Sequence, residues 1–305
     1  MTSHRDGGRQ AGRAAHARLI LRAAIAAADP APHVRRAIRA SQELREARRV
    51  HLIAIGKAAA TMAYAALDAL PRPADSALVI VPHGTDTAML SDDTRTRVLR
   101  ASHPLPDASS ADAAAAVEHH TGGVHAGDIV FVLLSGGASS LCTAPAGSIS
   151  IAEYALVVSA LMHAGADIRE LNAVRAHIDR LKGGGMADII APAHAIGLVV
   201  SDVTGNPLDV IASGPLTRPT ATPADALRVL DRYMPVNDVP ASVRSVLQQA
   251  AARTPPARSF GHVGVDVLLD NRTAVDGAAE EARRLGYEVR ITDEPVTGHA
   301  RDAGR

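Results

Sequence analysis

Short, mostly apolar runs alternate along this chain with longer segments that have helical spacing. Four of these runs, at 51–55, 77–81, 129–134 and 196–200, are each followed by Gly, Pro or Ser. Such a run is typical of a strand that is buried on both faces of a sheet. Because strands and helices alternate, the pattern predicts an α/β fold with a doubly wound, mostly parallel sheet.

The same periodicity predicts the remaining elements. Further strands are predicted at 98–101, 263–269 and 288–291. Helices are predicted at 14–28, 32–47, from the end of the first strand to about 70, at 107–121 with Asp107 or Ser109 as its cap, at 219–233, 241–253 and 273–285. The segment 149–191 is helical with breaks near 165 and at 183–185. We expect residues 1–13 to be a disordered tail and 14–297 to form one domain.

Composition narrows the class of protein without naming a function. Two Phe, four Tyr and no Trp leave a core of Ala, Val, Leu and Ile. Thirty-two basic and 32 acidic residues balance, so the overall charge gives no argument for nucleic acid or a membrane as a partner. The single cysteine, Cys142, excludes an intrachain disulfide and favours a cytoplasmic setting. No apolar run reaches membrane-spanning length.

The most informative segment is the strand at 129–134 with the loop that follows it. The loop residues are Ser135, Gly136, Gly137, Ala138, Ser139 and Ser140. Glycine lets a backbone turn sharply and brings its N–H groups close to a ligand. A loop at the carboxyl end of a parallel strand is a common site for phosphate. The alternative is a plain tight turn.

Two charged residues follow other predicted strands. Lys57 lies at the first turn after 51–55, where an anion would dock on a helix N-terminus, and a solvated lysine is the alternative. Asp202 follows 196–200, where an aspartate can hold Mg²⁺ or accept a proton, and a cap or turn role is the alternative. The sequence contains neither a Walker-type phosphate loop nor a Gly-x-Gly-x-x-Gly nicotinamide fingerprint.

Two further groups of polar residues are present. On the predicted helix, Asn172, Arg175 and Lys182 share one face, which suits a carboxylate or phosphate, and a solvated basic face is the alternative. The triple glycine at 183–185 indicates that backbone approaches something closely there. His103, in a proline-containing loop, is interpreted as a structural turn residue, and the pair at 119–120 as a helix surface.

Six ordered motifs together resemble the glycerate 2-kinase family of the class II, MOFRL type. They are Gly56-Lys57-Ala58, Ser102-His103-Pro104-Leu105-Pro106-Asp107, Ser135-Gly136-Gly137, Leu171-Asn172 through Lys182-Gly183-Gly184, Ser201-Asp202-Val203 and Ile211-Ala212-Ser213-Gly214-Pro215. The resemblance implies that most of the chain is the Rossmann-like N-terminal domain of a glycerate kinase, the DUF4147 type.

The resemblance also implies an enzyme that phosphorylates D-glycerate at the 2-hydroxyl with ATP and Mg²⁺, giving 2-phosphoglycerate. Lys57 matches the family's catalytic lysine, and Asp202 matches the acidic residue that would bind Mg²⁺ or take the proton. The implied substrate and phosphate contacts are Ser135, Gly136, Gly137, Ser139, Ser140, Asn172, Arg175, Lys182, Ser213 and Gly214. Some relatives have carried the label hydroxypyruvate reductase, which stays an alternative.

The sequence departs from the family pattern at three points. Ala138 stands where a third glycine is usual, and Asn206 stands where Asp often follows Gly205. A C-terminal MOFRL domain, which donates a catalytic arginine in the family, is expected to begin with a linking helix at 298–305. We therefore expect a truncated enzyme, half of a split enzyme with a separately encoded MOFRL partner, or an inactive ligand-binding remnant. Without the MOFRL domain, the wall of the cleft that the two domains form in the family would be exposed. Such an exposed wall would favour a homodimer.

Overall fold

The computed structural model describes residues 3–91, 93–253, 259–292 and 300–303. The chain forms two compact units. The larger comprises residues 30–201 and 206–268, and the smaller comprises 1–29, 202–205 and 269–305. Residues 14–297, which we expected to form one domain, contribute to both units. No helix in the described ranges is long and apolar enough to span a membrane.

A six-stranded sheet lies at the centre of the larger unit. Its strands are β1 (Val50–Ile55), β2 (Ser76–Pro82), β3 (Thr96–Ala101), β4 (Ile129–Leu134), β5 (His194–Val200) and β6 (Val263–Leu269). They are ordered β3-β2-β1-β4-β5-β6, and the pairs from β3 to β5 are parallel. The predicted α/β fold is confirmed. The order reverses between β1 and β4, and ligands bind outside the carboxyl ends of the strands at such a switch point.

Helices connect the strands and contribute to both units. They are α1 (Ser3–Ala27), α2 (Pro30–Ala40), α3 (Ala59–Ala69), α4 (Ala108–Thr121), α5 (Ala138–Leu141), α6 (Ile151–His163), α7 (Ile168–Ile178), α8 (Gly185–Ile190), α9 (Pro223–Tyr233), α10 (Ala241–Ala251), α11 (Asn271–Arg284) and α12 (Ala300–Ala303). Asp107, Ser150, Asp167 and Thr222 begin α4, α6, α7 and α9 with capping boxes. Asp107 was a predicted cap, and this prediction is confirmed.

Two apolar clusters hold the larger unit together. In the first, the alanines and Met62 of α3 pack with sheet residues such as Leu52 and Phe131, because small side chains let a helix approach a sheet closely. The second joins α6, α7, α9 and α10 around Tyr154, Val174 and other buried residues. It holds α7, which carries two of the predicted site residues, in a fixed position.

The smaller unit corrects two predictions. Helix α1 begins at Ser3, so the expected disordered tail at 1–13 is helical over the part that is described. Its Arg and Gln residues favour a helix and outweigh the glycines at 7 and 8. Helix α1 packs on α11, where a Cβ at Gly277 would lie 2.4 Å from the Cβ of Ala27. The His16 Nδ1 atom also lies 2.9 Å from the Tyr287 hydroxyl.

The predicted last strand is absent. Residues 288–291 have no regular secondary structure, so the segment after α11 does not complete a β-α-β unit. A strand forms only where a neighbouring strand is available, and local composition carries no information on that point. Of the segment at 298–305, residues 300–303 form α12 and the others lie outside the described residues.

Two histidines are packed together at the amino end of the sheet. The Ser76 hydroxyl lies 2.8 Å from His51 Nδ1 and 3.3 Å from His120 Nε2, and the two rings are 6.1 Å apart. His119 is exposed, but His120 is not the surface residue that we expected. Burial, reinforced by the nearby histidines, lowers the pKa of His120 to about 4.

This arrangement predicts that the protein loses stability on mild acidification. Between pH 6.5 and about 4 the unfolded chain protonates His120 and the folded chain does not, so the free energy of unfolding falls as pH decreases through this range. Since the side chain is only half-buried, we expect a loss of about 1 to 2 kcal/mol between pH 7.5 and 5. Urea unfolding should show a weaker pH dependence for His120→Gln. An equal pH dependence in both proteins would contradict this account.

Candidate active site at the strand switch point

The loops after β1 and β4 are bonded to each other at the switch point. The Lys57 N–H donates to the carbonyl of Gly136 over 2.9 Å, and the Ala58 N–H donates to the Ser135 hydroxyl over 3.1 Å. A Cβ at Gly56, whose φ is +134°, would lie 2.6 Å from the Ser135 carbonyl oxygen. Only glycine therefore allows the loops to approach this closely. The Ser135 side chain is buried and joins the loops.

A third loop reaches the same place. A Cβ at Gly137 would lie 2.9 Å from Cδ2 and 3.2 Å from Nε2 of His103, and 3.6 Å from Cε of Lys57. The loops after β1, β3 and β4 thus converge on Gly137. His103, which we interpreted as a structural turn residue, lies beside the predicted catalytic lysine. The sequence signal for it was the Ser-His-Pro-Leu-Pro-Asp motif itself.

The electrostatics of this convergence favour an anion. Lys57 is exposed, and its ammonium has no carboxylate partner among the described residues. The N–H groups of Gly136, Gly137 and Ser139 have no hydrogen-bond acceptor among the described residues. Ala58, the residue before α3, provides no side-chain cap for this helix. Partial desolvation, with a smaller effect from Lys57, lowers the pKa of His103, so its imidazole is neutral at pH 7.

Serine and asparagine side chains extend the site from α5 towards α7. The Ser139 hydroxyl lies 2.9 Å from that of Ser213, which bonds to Asn172 Oδ1 over 2.7 Å. Asn172 Nδ2 in turn donates to the carbonyl of Val210 over 3.0 Å. The structure thus brings Ser139, Ser213 and Asn172 together. The hydroxyl of Ser140 instead donates to the carbonyl of Gly137 over 3.1 Å, within the loop.

The triple glycine supports this group of residues through backbone hydrogen bonds. Ala212, Ser213 and Gly214 all have positive φ, which is strained for the first two. The N–H groups of Gly183 and Gly184 donate to the carbonyls of Ser213 and Gly214 over 3.0 and 2.7 Å. We predicted a close backbone approach at 183–185. It occurs, and the approached group is the chain's own 211–215 turn.

The structure corrects the prediction that Lys182 contacts a carboxylate or phosphate of the ligand. Its side chain is almost fully buried and forms an ion pair with Asp179, and its Nζ lies 3.3 Å from the carbonyl of Cys142. Burial opposes the charge, but Asp179 outweighs it and raises the pKa of Lys182. The helical spacing that placed Lys182 with Asn172 fails because α7 ends at Ile178. Lys182 therefore stabilises the fold here.

Cys142 shares this buried environment. Burial raises the pKa of its thiol to about 12, so it carries no thiolate at pH 7. Cys142 is therefore a buried packing residue. Ala138, which replaces the family's usual glycine, is also buried, within α5.

The role of Arg175 as an anion contact stays a prediction. It is 8% exposed, and no described residue accepts a hydrogen bond from its guanidinium. Burial lowers its pKa, and the hydroxyl of Tyr154 and the carboxylate of Asp179 counteract this. Arginine stays charged in proteins, and a buried charge without an acceptor is costly unless an anion meets it. Arg175 therefore remains a candidate anchor for a ligand carboxylate or phosphate.

Asp202 is exposed and belongs to the smaller unit. Its role as metal ligand or proton acceptor stays a prediction. Within the described ranges, no cluster of three or more His, Cys, Asp or Glu side chains is arranged to hold a metal ion.

Comparison with known proteins identifies the family. The family model described as "Domain of unknown function (DUF4147)" matches residues 16–248. The chain belongs to this family. It is 35% identical over 257 residues to the D-glycerate 2-kinase of Thermotoga maritima, covering 84% of this chain and 59% of that protein. It is 34% identical to the glycerate 2-kinase of Pyrococcus horikoshii, covering 92% of this chain and 65% of that protein. The predicted resemblance to the glycerate 2-kinases is confirmed.

A solved structure agrees with this assignment. The crystal structure of a glycerate kinase from Thermotoga maritima matches with a TM-score of 0.76 and 32% identity, covering 89% of this chain and 62% of that chain. A protein of Agrobacterium vitis named putative hydroxypyruvate reductase is 36% identical, covering 83% of this chain and 64% of that protein. The chain spans between 59% and 65% of the length of these relatives.

The buried ion pair predicts that Lys182 contributes to stability and not to ligand binding. In Lys182→Met, Asp179 is left buried without its counter-charge, which typically costs about 3 to 5 kcal/mol. Urea unfolding should show a loss of this size. The affinity of the folded variant for inorganic phosphate, measured by calorimetry, should equal that of the wild type. Wild-type stability combined with lost phosphate binding would restore the ligand role of Lys182.

Proposed function

We propose that this chain carries the glycerate- and phosphate-binding part of a D-glycerate 2-kinase, which transfers the γ-phosphoryl group of ATP to the 2-hydroxyl of D-glycerate. The family membership and the names of the relatives support a glycerate kinase. The observation that carries the proposal is the convergence of the unpaired Lys57 ammonium and the free loop amides on one glycine. Phosphoryl transfer depends mainly on positioning and on charge stabilisation of this kind.

The proposal assigns a role to each group. Lys57 stabilises the charge of the transferring phosphoryl group, and the amides of Gly136 and Gly137 hold its oxygens. Arg175 binds the glycerate carboxylate, for which a guanidinium offers a paired set of donors. His103 accepts the proton of the 2-hydroxyl, because it is neutral at pH 7 and lies beside Lys57.

Since the described residues contain no group of three or more His, Cys, Asp or Glu that could hold a metal ion, we propose that Mg²⁺ arrives with the nucleotide. Mg²⁺ is usually held by one or two carboxylates together with substrate phosphates, and does not need a cage of protein ligands. Asp202 is the carboxylate that we assign to it. When bound, the ion would neutralise charge on the phosphates.

The relative named putative hydroxypyruvate reductase makes a nicotinamide-dependent reductase the second candidate. The sequence does not favour it, because the β1 loop reads Gly56-Lys57-Ala58 and lacks the glycine pattern that admits a dinucleotide pyrophosphate. Incubating the chain with hydroxypyruvate and NADH or NADPH, and following absorbance at the nicotinamide band, tests this alternative.

Phosphorylation itself is tested by incubating the protein with ATP, Mg²⁺ and D-glycerate and identifying 2-phosphoglycerate by ³¹P NMR. The assay is run on this chain alone and on the chain supplied with the remaining part of the Thermotoga maritima relative.

Lys57→Ala should lower kcat by about two orders of magnitude or more, because a preorganised charge contact is lost. Its melting temperature should stay unchanged, since Lys57 is exposed. If Lys57→Ala keeps near wild-type turnover in whichever of the two assays shows activity, the role proposed for Lys57 is wrong.

His103 is tested through the pH dependence of the same reaction. His103→Gln should lower kcat by about 10²-fold or more, the usual range for a positioned proton acceptor. The acidic limb of the pH–rate profile should disappear in this variant, since no imidazole remains to be protonated. His119→Gln, which changes an exposed helix residue, is the matched control. A wild-type profile in His103→Gln would exclude His103 as the acceptor.

A further inference from the structure

The chain of hydrogen bonds from Val210 to Ser139 has only one possible direction. A backbone carbonyl can only accept, so the Asn172 side chain must direct its NH₂ group to Val210, at 3.0 Å. Its Oδ1 atom then faces Ser213, at 2.7 Å, and an amide oxygen can also only accept. Ser213 must therefore donate its hydroxyl proton to Asn172.

The directions of these two bonds determine the direction of the third, between Ser213 and Ser139. Ser213 has one hydroxyl proton, which is committed to Asn172, so the contact of 2.9 Å between the two serines requires Ser139 to donate. Ser213 and Asn172 are buried, at 0% and 5% exposed, which leaves water little opportunity to compete for these bonds. Ser139 has no second proton, and its oxygen therefore offers only lone pairs to a ligand.

Ser139 is only partly buried and lies two residues after Gly137 in the same loop and turn. Ser139 is therefore not fully enclosed by the protein. An oxygen that can only accept repels the oxygens of phosphate and carboxylate, which also only accept at neutral pH. The motif-based prediction that Ser139 contacts phosphate thus applies at most to its backbone N–H. Its side chain requires a ligand that donates.

We propose that Ser139 Oγ accepts a hydrogen bond from the 3-hydroxyl of the hydroxy-acid substrate, and that Asn172 and Ser213 position it for this purpose. The inference rests on the proposed function, in which D-glycerate offers two hydroxyl groups. The 2-hydroxyl loses its proton during phosphoryl transfer. Ser139 cannot take up that proton and is suited to the hydroxyl that keeps its own, which is the 3-hydroxyl.

The test compares binding of D-glycerate and D-lactate, which has the same carboxylate and 2-hydroxyl but no 3-hydroxyl. Isothermal titration calorimetry on the full chain measures both dissociation constants without requiring turnover. We expect the wild type to prefer D-glycerate by about tenfold, the size of one well-placed hydrogen bond. Ser139→Ala should reduce this preference to about twofold or less, by weakening D-glycerate binding while D-lactate binding stays within twofold.

Three variants separate this role from a merely structural one. Ser139→Thr keeps the hydroxyl and should keep most of the preference. Ser213→Ala releases the Ser139 proton and should give an intermediate preference. Ser245→Ala, which changes an exposed serine of α10 outside the candidate site, is the matched control. Its ratio of the two affinities should equal that of the wild type.

The outcomes distinguish this inference from the function on which it rests. An undiminished preference for D-glycerate in folded Ser139→Ala overturns the inference and leaves the kinase proposal intact. Equal affinities for both acids in the wild type overturn it in the same way. Absence of D-glycerate binding in the wild type overturns both.

Discussion

The parallel pairing of β1 with β4 is the constraint on which the site depends. It brings the loops after both strands to one edge of the sheet, although about 80 residues separate them in the sequence. The absence of a side chain at Gly56 then allows the β1 loop to contact the Ser135 backbone. Without this contact Lys57 would not lie beside the Gly136-Gly137 amides, and the site would have a cation and an amide loop in separate places.

A second group of residues, outside the loops after β1 and β4, holds site residues in position. The glycines at 183–185 bring α8 and its preceding turn against the left-handed segment at 212–214. That segment directs Ser213 towards both Ser139 and Asn172. Backbone strain is thus used to place a hydroxyl group, which is common where a side chain must be held in one orientation.

Buried polar groups in this unit have two different functions. Lys182 and Asp179 neutralise each other and stabilise the region beneath α5. Arg175, on α7, is buried without a hydrogen-bond acceptor among the described residues. A charged side chain that is fully paired serves the fold, whereas one that lacks an acceptor is available to a ligand. Charge and helical spacing placed Arg175 and Lys182 on one face, so the sequence alone did not distinguish their roles.

The sequence by itself determined the α/β class, all six strands of the sheet, and the loops that carry Lys57, Gly136, Gly137, Ser139 and Asn172. These follow from local patterns, because apolar runs, glycines and caps act on their near neighbours in the chain. Tertiary structure alone decided the position of His103 beside Lys57, the burial of Lys182 and His120, and the absence of a strand at 288–291. Each of these depends on which distant segment packs against the residue, and pairing between distant segments leaves no signature in local composition.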